Sequence, residues 1–212
     1  MNINYPKEWD ELPKRERKQK IRELKKQKEK KSELYNKARN VGIVAVLLIV
    51  VIGGYKLLTQ KSPGQEAFEQ EVKEISLEGK VEEFPIEGQE HVSAGTDVDY
   101  NTNPPTSGSH LALAENWGFY DDEIDDKAAV HGLEHGGIWI SYKDMSNEEK
   151  AILAEIGREN SQSVIVSPRS ANDVKIAVVS WGRTMKLESV DKALIQKYID
   201  TYKNQSPEKL AR

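Results

Sequence analysis

Hydrophobic and polar positions are spread very unevenly along this chain. Residues 41–55 read Val-Gly-Ile-Val-Ala-Val-Leu-Leu-Ile-Val-Val-Ile-Gly-Gly-Tyr without a charge; Lys56 interrupts the run, and Leu57 and Leu58 extend it. A bilayer core asks for roughly 20 apolar residues in a helix. A lysine near the edge buries its stem and lifts its ammonium to the interface, so residues 41–58 suffice. No polar face breaks the run, which argues against the core helix of a soluble protein. A long charged segment ahead of it and a poor cleavage site at Gly53-Gly54-Tyr55 argue against a removed signal peptide. The pattern predicts one transmembrane helix, an uncleaved signal anchor.

On either side the pattern changes. From Pro13 to about Ala38 nearly every residue is a good helix former, and Ile21, Leu24 and Leu34 are too few to build a core. Residues 1–40 are therefore expected to hold a charged, solvent-facing helix. Thr59-Gln60-Lys61-Ser62-Pro63-Gly64-Gln65 is polar with a Pro-Gly pair and reads as a linker over 59–65. Residues 66–212 carry the mixed periodicities of a globular domain. Phe68, Val72 and Ile75 fall at helical spacing, and residues 80–84 read as a strand. Ile138-Trp139-Ile140-Ser141-Tyr142 and Ser163-Val164-Ile165-Val166-Ser167 read as strands. Between them Ser146-Asn147-Glu148-Glu149 forms a capping box for a helix burying Ile152, Leu153 and Ile156. Residues 174–181 are apolar on both faces and read as a central strand. Ser189 is the expected cap of a last helix. The strand-helix-strand unit of 138–167 predicts a parallel, right-handed pair. The short stretch 169–173 predicts an antiparallel hairpin after it. The fold class is α+β: a mixed β-sheet with packed helices, preceded by a transmembrane helix and a basic cytoplasmic helix.

Charge orients this arrangement. Residues 1–40 carry 14 Lys and Arg against 7 Asp and Glu, net +7, which leaves the rest of the chain at −11. Basic flanks stay in the cytoplasm, so the carboxyl-terminal domain is expected outside it, in a single-pass cell-membrane protein with its amino terminus inside. Residues 7–39 are then placed to touch anionic lipid. Nucleic acid is not an expected partner. The chain has no cysteine, which excludes disulfides, thiolate metal sites and a cysteine nucleophile.

The candidate chemistry is concentrated in one region. All four histidines, His91, His110, His131 and His135, lie between residues 91 and 135. A long loop rich in Gly, Asp, Thr and Asn leads to Asn103-Pro104-Pro105-Thr106-Ser107-Gly108-Ser109-His110, and structureless stretches of that length inside a domain are usually functional. Asn116-Trp117-Gly118-Phe119-Tyr120 reads as core or pocket wall. A helix capped by Asp125 or Asp126 and stopped at Gly136 would put His131, Glu134 and His135 on one face. Trp139, Trp181 and Met185 are expected in the core. No nucleophile-elbow serine and no phosphate-binding glycine loop occur, so no nucleotide cofactor is expected.

Four segments, the Asn103–His110 stretch, Trp117-Gly118-Phe119-Tyr120, Val130-His131-Gly132-Leu133-Glu134-His135-Gly136-Gly137 and Ser180-Trp181-Gly182-Arg183, occur in that order. Over roughly residues 80–208 the chain resembles the family catalogued as domain of unknown function 3105. The resemblance implies a membrane-anchored bacterial protein with an outer domain; it implies no activity.

Two readings of the histidines stand open. In the first, His131 and His135 chelate one transition-metal ion, zinc or copper, from one helix face. His110 and His91 complete the shell, and Glu134 serves as ligand, orienting group or base. In the second, no metal is involved: the histidines hydrogen-bond the loop of Asn103, Pro104, Pro105 and Ser107, beside Trp117 and Tyr120, and the domain is a cell-surface ligand- or protein-binding module. The glutamate directly precedes the second histidine, unlike His-Glu-x-x-His, so a peptidase of that class is not expected.

Overall fold

The computed structural model describes residues 5–212 and divides into two compact units between Ser62 and Pro63. In the first unit a 3-10 turn, Lys7–Glu11, precedes α1, Lys14–Thr59. The charged helix and the apolar helix are thus one rod of 46 residues, about 70 Å long at ~1.5 Å per residue. Nothing between Ala38 and Val41 is a strong helix breaker, so the backbone hydrogen bonds continue across the change in polarity. None of its residues is buried. This helix is long and apolar enough to cross a membrane.

The second unit opens with α2, Pro63–Glu74. Pro63 and Gly64 begin this helix rather than make a turn, since the missing proline N–H is no loss at a helix start; only Gln60, Lys61 and Ser62 separate the two helices. There follow β1 (Glu82–Glu83), β2 (His91–Val92), β3 (His110–Leu111), β4 (Gly118–Phe119), α3 (Asp126–Glu134), β5 (Ile138–Tyr142), α4 (Asn147–Glu159), β6 (Val164–Pro168), β7 (Ile176–Ser180), β8 (Arg183–Leu187) and α5 (Lys192–Tyr202). Six strands form a mixed sheet in the order β1-β8-β7-β5-β6-β4, while β2 and β3 make a separate parallel pair. β5 runs parallel to β6 and antiparallel to β7. The architecture is α+β, as the pattern predicts.

Alternation along the strands sends side chains into two apolar layers. Ile138, Ile140 and Tyr142 of β5 meet Leu153 and Ile156 of α4 and Ile195, Tyr198 and Ile199 of α5 on one face. Trp139 points the other way, into Ala129, Val130 and Leu133 of α3 with Ile165, Val179 and Trp181. Because both faces are covered, the central strands read as unbroken apolar runs. The capping box at Ser146 is present, its hydroxyl accepting from Glu149 N at 3.2 Å.

Three expectations are corrected. Residues 169–173 do not make a hairpin: β7 lies on the far side of β5 from β6. The chain steps over the end of β5, with Arg169 N donating to Tyr142 O and Lys143 N to Lys175 O. Two strand spacings are about 10 Å, which the seven residues 169–175 easily span. The hairpin instead joins β7 to β8, a strand absent from the sequence reading, through Trp181 and Gly182, whose φ of +70° favours glycine. The last helix is capped by Asp191, not Ser189, because Val190 turns into the core and leaves the next carboxylate to accept from Leu194 N at 2.9 Å.

Candidate metal centre

The site is assembled on α3 and β3. Asp125 caps α3, accepting from Lys127 N at 2.8 Å, which leaves Asp126 free to pair with Arg169. Gly132 leaves room on the helix surface: a Cβ there would stand 3.0 Å from Ile165 and 3.4 Å from the Trp117 ring. Gly137 leaves still less, since a Cβ would fall 2.1 Å from that ring. At the carboxyl end Gly136 adopts φ +92°, the left-handed conformation that ends helices. The carbonyls exposed by this ending are taken up by the chain's own tail: Asn204 N donates to Gly136 O, Glu208 N to Glu134 O, and Leu210 N to His135 O.

Across from α3, the β2–β3 ladder pairs His91 with His110 in register. His91, His110, His131 and Glu134 each offer one ligand atom, and these atoms lie within 4.8 Å of one another. The ring centroids of His91, His110 and His131 are 4.8–5.0 Å apart. His110 is fully buried, His131 and Glu134 nearly so, and His91 is exposed. A tetrahedral shell with metal–nitrogen bonds of about 2.0–2.1 Å has edges of about 3.3 Å. The edges from Glu134 Oε2 to His110 Nε2, 3.1 Å, and to His131 Nε2, 3.9 Å, are already close to that.

One hydrogen bond orients the His110 ring. Its Nδ1 lies 2.8 Å from Gly108 O. A carbonyl only accepts, so Nδ1 carries a proton and Nε2 is left to face Glu134. The carboxylate oxygen it faces has only lone pairs to offer. Two acceptors in a buried site repel unless a proton or a cation lies between them. His131 likewise keeps its buried Nδ1 without a hydrogen-bond partner. Burial pushes the His131 imidazole down to about 4, helped by the neighbouring His135, His110 and His91 and partly offset by the Leu111 backbone. The ring is therefore held in its neutral, ligand-competent form.

Spacing paired His131 with His135, and the structure groups the residues differently. The two rings do approach, with centroids 4.4 Å apart. His135, however, is the C-cap of α3, and its Nε2 lies 3.2 Å from Glu208 Oε2, outside the group of four. The Asn103–Pro104 peptide is cis, and residues 104–108 are buried. The ties of this loop run chiefly to other partners: Gly182 N donates to Thr106 O, Glu87 N to Ser107 Oγ at 3.0 Å, and Asn103 Nδ2 to Ala171 O at 2.9 Å. Among the histidines only the His110 ring bonds it, through Gly108. Trp117 and Tyr120 pack with the α3-side core, and the Tyr120 hydroxyl donates to Asn116 O at 2.7 Å. Trp139, Trp181 and Met185 are buried in the two core layers.

Sequence reasoning missed Arg169. This buried residue donates from Nε and Nη2 to the Asp126 carboxylate at 2.9 and 2.7 Å, and from Nη1 to Asn103 Oδ1 and Asn172 Oδ1. It thus ties the start of α3 to the loop that leads to His110. The one signal was an arginine immediately after the proline that ends β6.

Fold and cluster define an α+β domain whose three imidazoles and one carboxylate have the make-up of a site able to hold a metal ion. The chain belongs to the family described as Protein of unknown function (DUF3105), whose model matches residues 91–212. The matched segment contains all four donor residues. No curated protein and no solved structure matches.

Proposed function

We propose that this chain is a single-pass membrane protein whose outer domain, residues 66–212, binds one transition-metal ion through His91, His110, His131 and Glu134. The observation that carries this reading is the gathering of one donor atom from each of these four residues within 4.8 Å, with buried His110 Nε2 facing Glu134 Oε2 at 3.1 Å. A proton shared between those two atoms serves one edge of the cluster. A divalent cation serves all four donors and neutralises the carboxylate, and imidazole suits zinc, copper, iron and nickel. Residues 41–58 of α1 anchor the protein, and residues 1–40, net +7, stay in the cytoplasm near anionic headgroups. His135 bound to Glu208 supports the site from outside it. The competing metal-free account, a histidine anchor for the Asn-Pro-Pro loop, draws only on the His110–Gly108 bond.

Elemental analysis and calorimetric titration of the purified chain with zinc and with copper(II) at pH 7 test the site. One saturable equivalent is expected, lost in a His110→Ala, His131→Ala double variant. Absence of saturable binding, or equal binding by the double variant, leaves the loop anchor as the better account. Orientation is tested separately: protease added to intact, wall-stripped cells should digest the domain beyond residue 62, and full protection would reverse the assignment.

A further inference from the structure

Resting on that ligand set, we infer that the centre is an exchange site, which takes up and hands on its ion through His91, rather than a structural site that holds the fold together. Three donors are fixed. His110 is pinned through Gly108, while His131 and Glu134 ride on a helix capped at both ends, by Asp125 and by the carboxyl-terminal tail. The fourth differs in every respect. The His91 ring is exposed, and its contacts are the faces and edges of the two neighbouring imidazoles, with no hydrogen bond to hold it. Its backbone, by contrast, is secured: His110 N donates to Glu90 O at 3.0 Å, and Gly108 N to Gly88 O at 3.1 Å. The ring can therefore swing into solvent about a fixed Cα and return to the same place.

The core does not need the ion. Two apolar layers of 14 and 8 buried residues form without the four donors. Domains that depend on a structural metal are those too small to bury such a core. The rim position of the site, with a single solvent-facing ligand, gives a divalent ion one route in and out. When His91 swings away, water or a donor from another molecule takes the open position.

The test uses the full chain in detergent micelles loaded with one equivalent of zinc alone. Release is followed after excess chelator is added, and folding by circular dichroism and thermal unfolding. Wild type should surrender its zinc and keep its fold. His91→Ala should still take up one zinc and release it at least about tenfold faster, the lower end of what losing a supporting contact at a metal costs. His131→Ala should bind none while remaining folded. Unfolding on chelation, an unchanged release rate in His91→Ala, or complete loss of uptake in that variant would each overturn the inference. A wild-type chain that takes up no zinc or copper(II) instead brings down the ligand set itself, a distinguishable result.

Discussion

Replacing Arg169 by Met removes the guanidinium and keeps most of the stem, and the structure sets the size of the effect. Four donor contacts are lost, two to Asp126 and one each to Asn103 and Asn172. Breaking a fully buried ion pair costs about 3–5 kcal/mol, and an exposed one about 0–1 kcal/mol. The Arg169 side chain is 10% exposed and the Asp126 side chain 31%, so water can restore part of what the carboxylate loses. A loss of about 2–3 kcal/mol is expected. For a unit of residues 63–212, at about 2–4 °C per kcal/mol, Tm should fall by roughly 5–10 °C. Urea unfolding measures the loss directly, and a double-mutant cycle with Asp126→Asn should return a coupling of about 1 kcal/mol or more. The same exchange at Lys192, whose pair with Glu155 lies at the surface, should cost less than about 1 kcal/mol. Metal affinity should also weaken in Arg169→Met, because the residue ties α3 to the loop before His110 without touching the ion. A stability change under about 1 kcal/mol, or a coupling near zero, would refute the reasoning.

Two further outcomes follow from the site's surroundings. The His131 pKa lies below the 6.5 of an unfolded histidine, so between pH 6.5 and about 4 the unfolded chain takes up a proton that the folded one refuses. In the presence of chelator, Tm should therefore fall through that window as the pH drops, and His131→Gln should show a smaller fall; equal falls would contradict the assignment. Deleting residues 203–212 removes the backbone donors that serve Glu134, His135 and Gly136 at the end of α3. At about 1 kcal/mol for each of four bonds, Tm should drop by roughly 8–16 °C and amide exchange in α3 should accelerate; a truncated chain matching the intact one would show the tail to be dispensable.

Much of the second unit was legible because local chemistry and global packing agree there. The Ser146 box, the apolar triplet at 138–140 and the acidic cap before α3 each describe a short segment whose fate does not depend on distant partners. The failures share a physical cause, which is that strand order is a property of the sheet. Residues 169–173 are short enough for a hairpin, and contacts distant in sequence, such as Arg169 with Asp126 and Asn103 and Ser141 with Asn172, hold them across the end of β5 instead. Lys61, Ser62 and Pro63 look like a tether by composition, yet helix geometry at a proline start absorbs part of it into α2.

The histidines show the same limit at the scale of one side chain. A spacing of i, i+4 predicts a shared face, and the His131 and His135 rings do share one, with centroids 4.4 Å apart. What spacing cannot show is the partner of the outer ring: His135 Nε2 lies 3.2 Å from Oε2 of Glu208, a residue 73 positions away that no motif joins to it. Glu134 lies among the candidate donors with His131, and the parallel β2–β3 ladder brings in His91 and His110 from a loop with no periodicity to read. Clustering of the four histidines between residues 91 and 135 therefore pointed to the region that holds the candidate donors. Which of them stand together depends on the β2–β3 pairing and on how α3 ends, at Gly136 with its carbonyls met by the carboxyl-terminal tail.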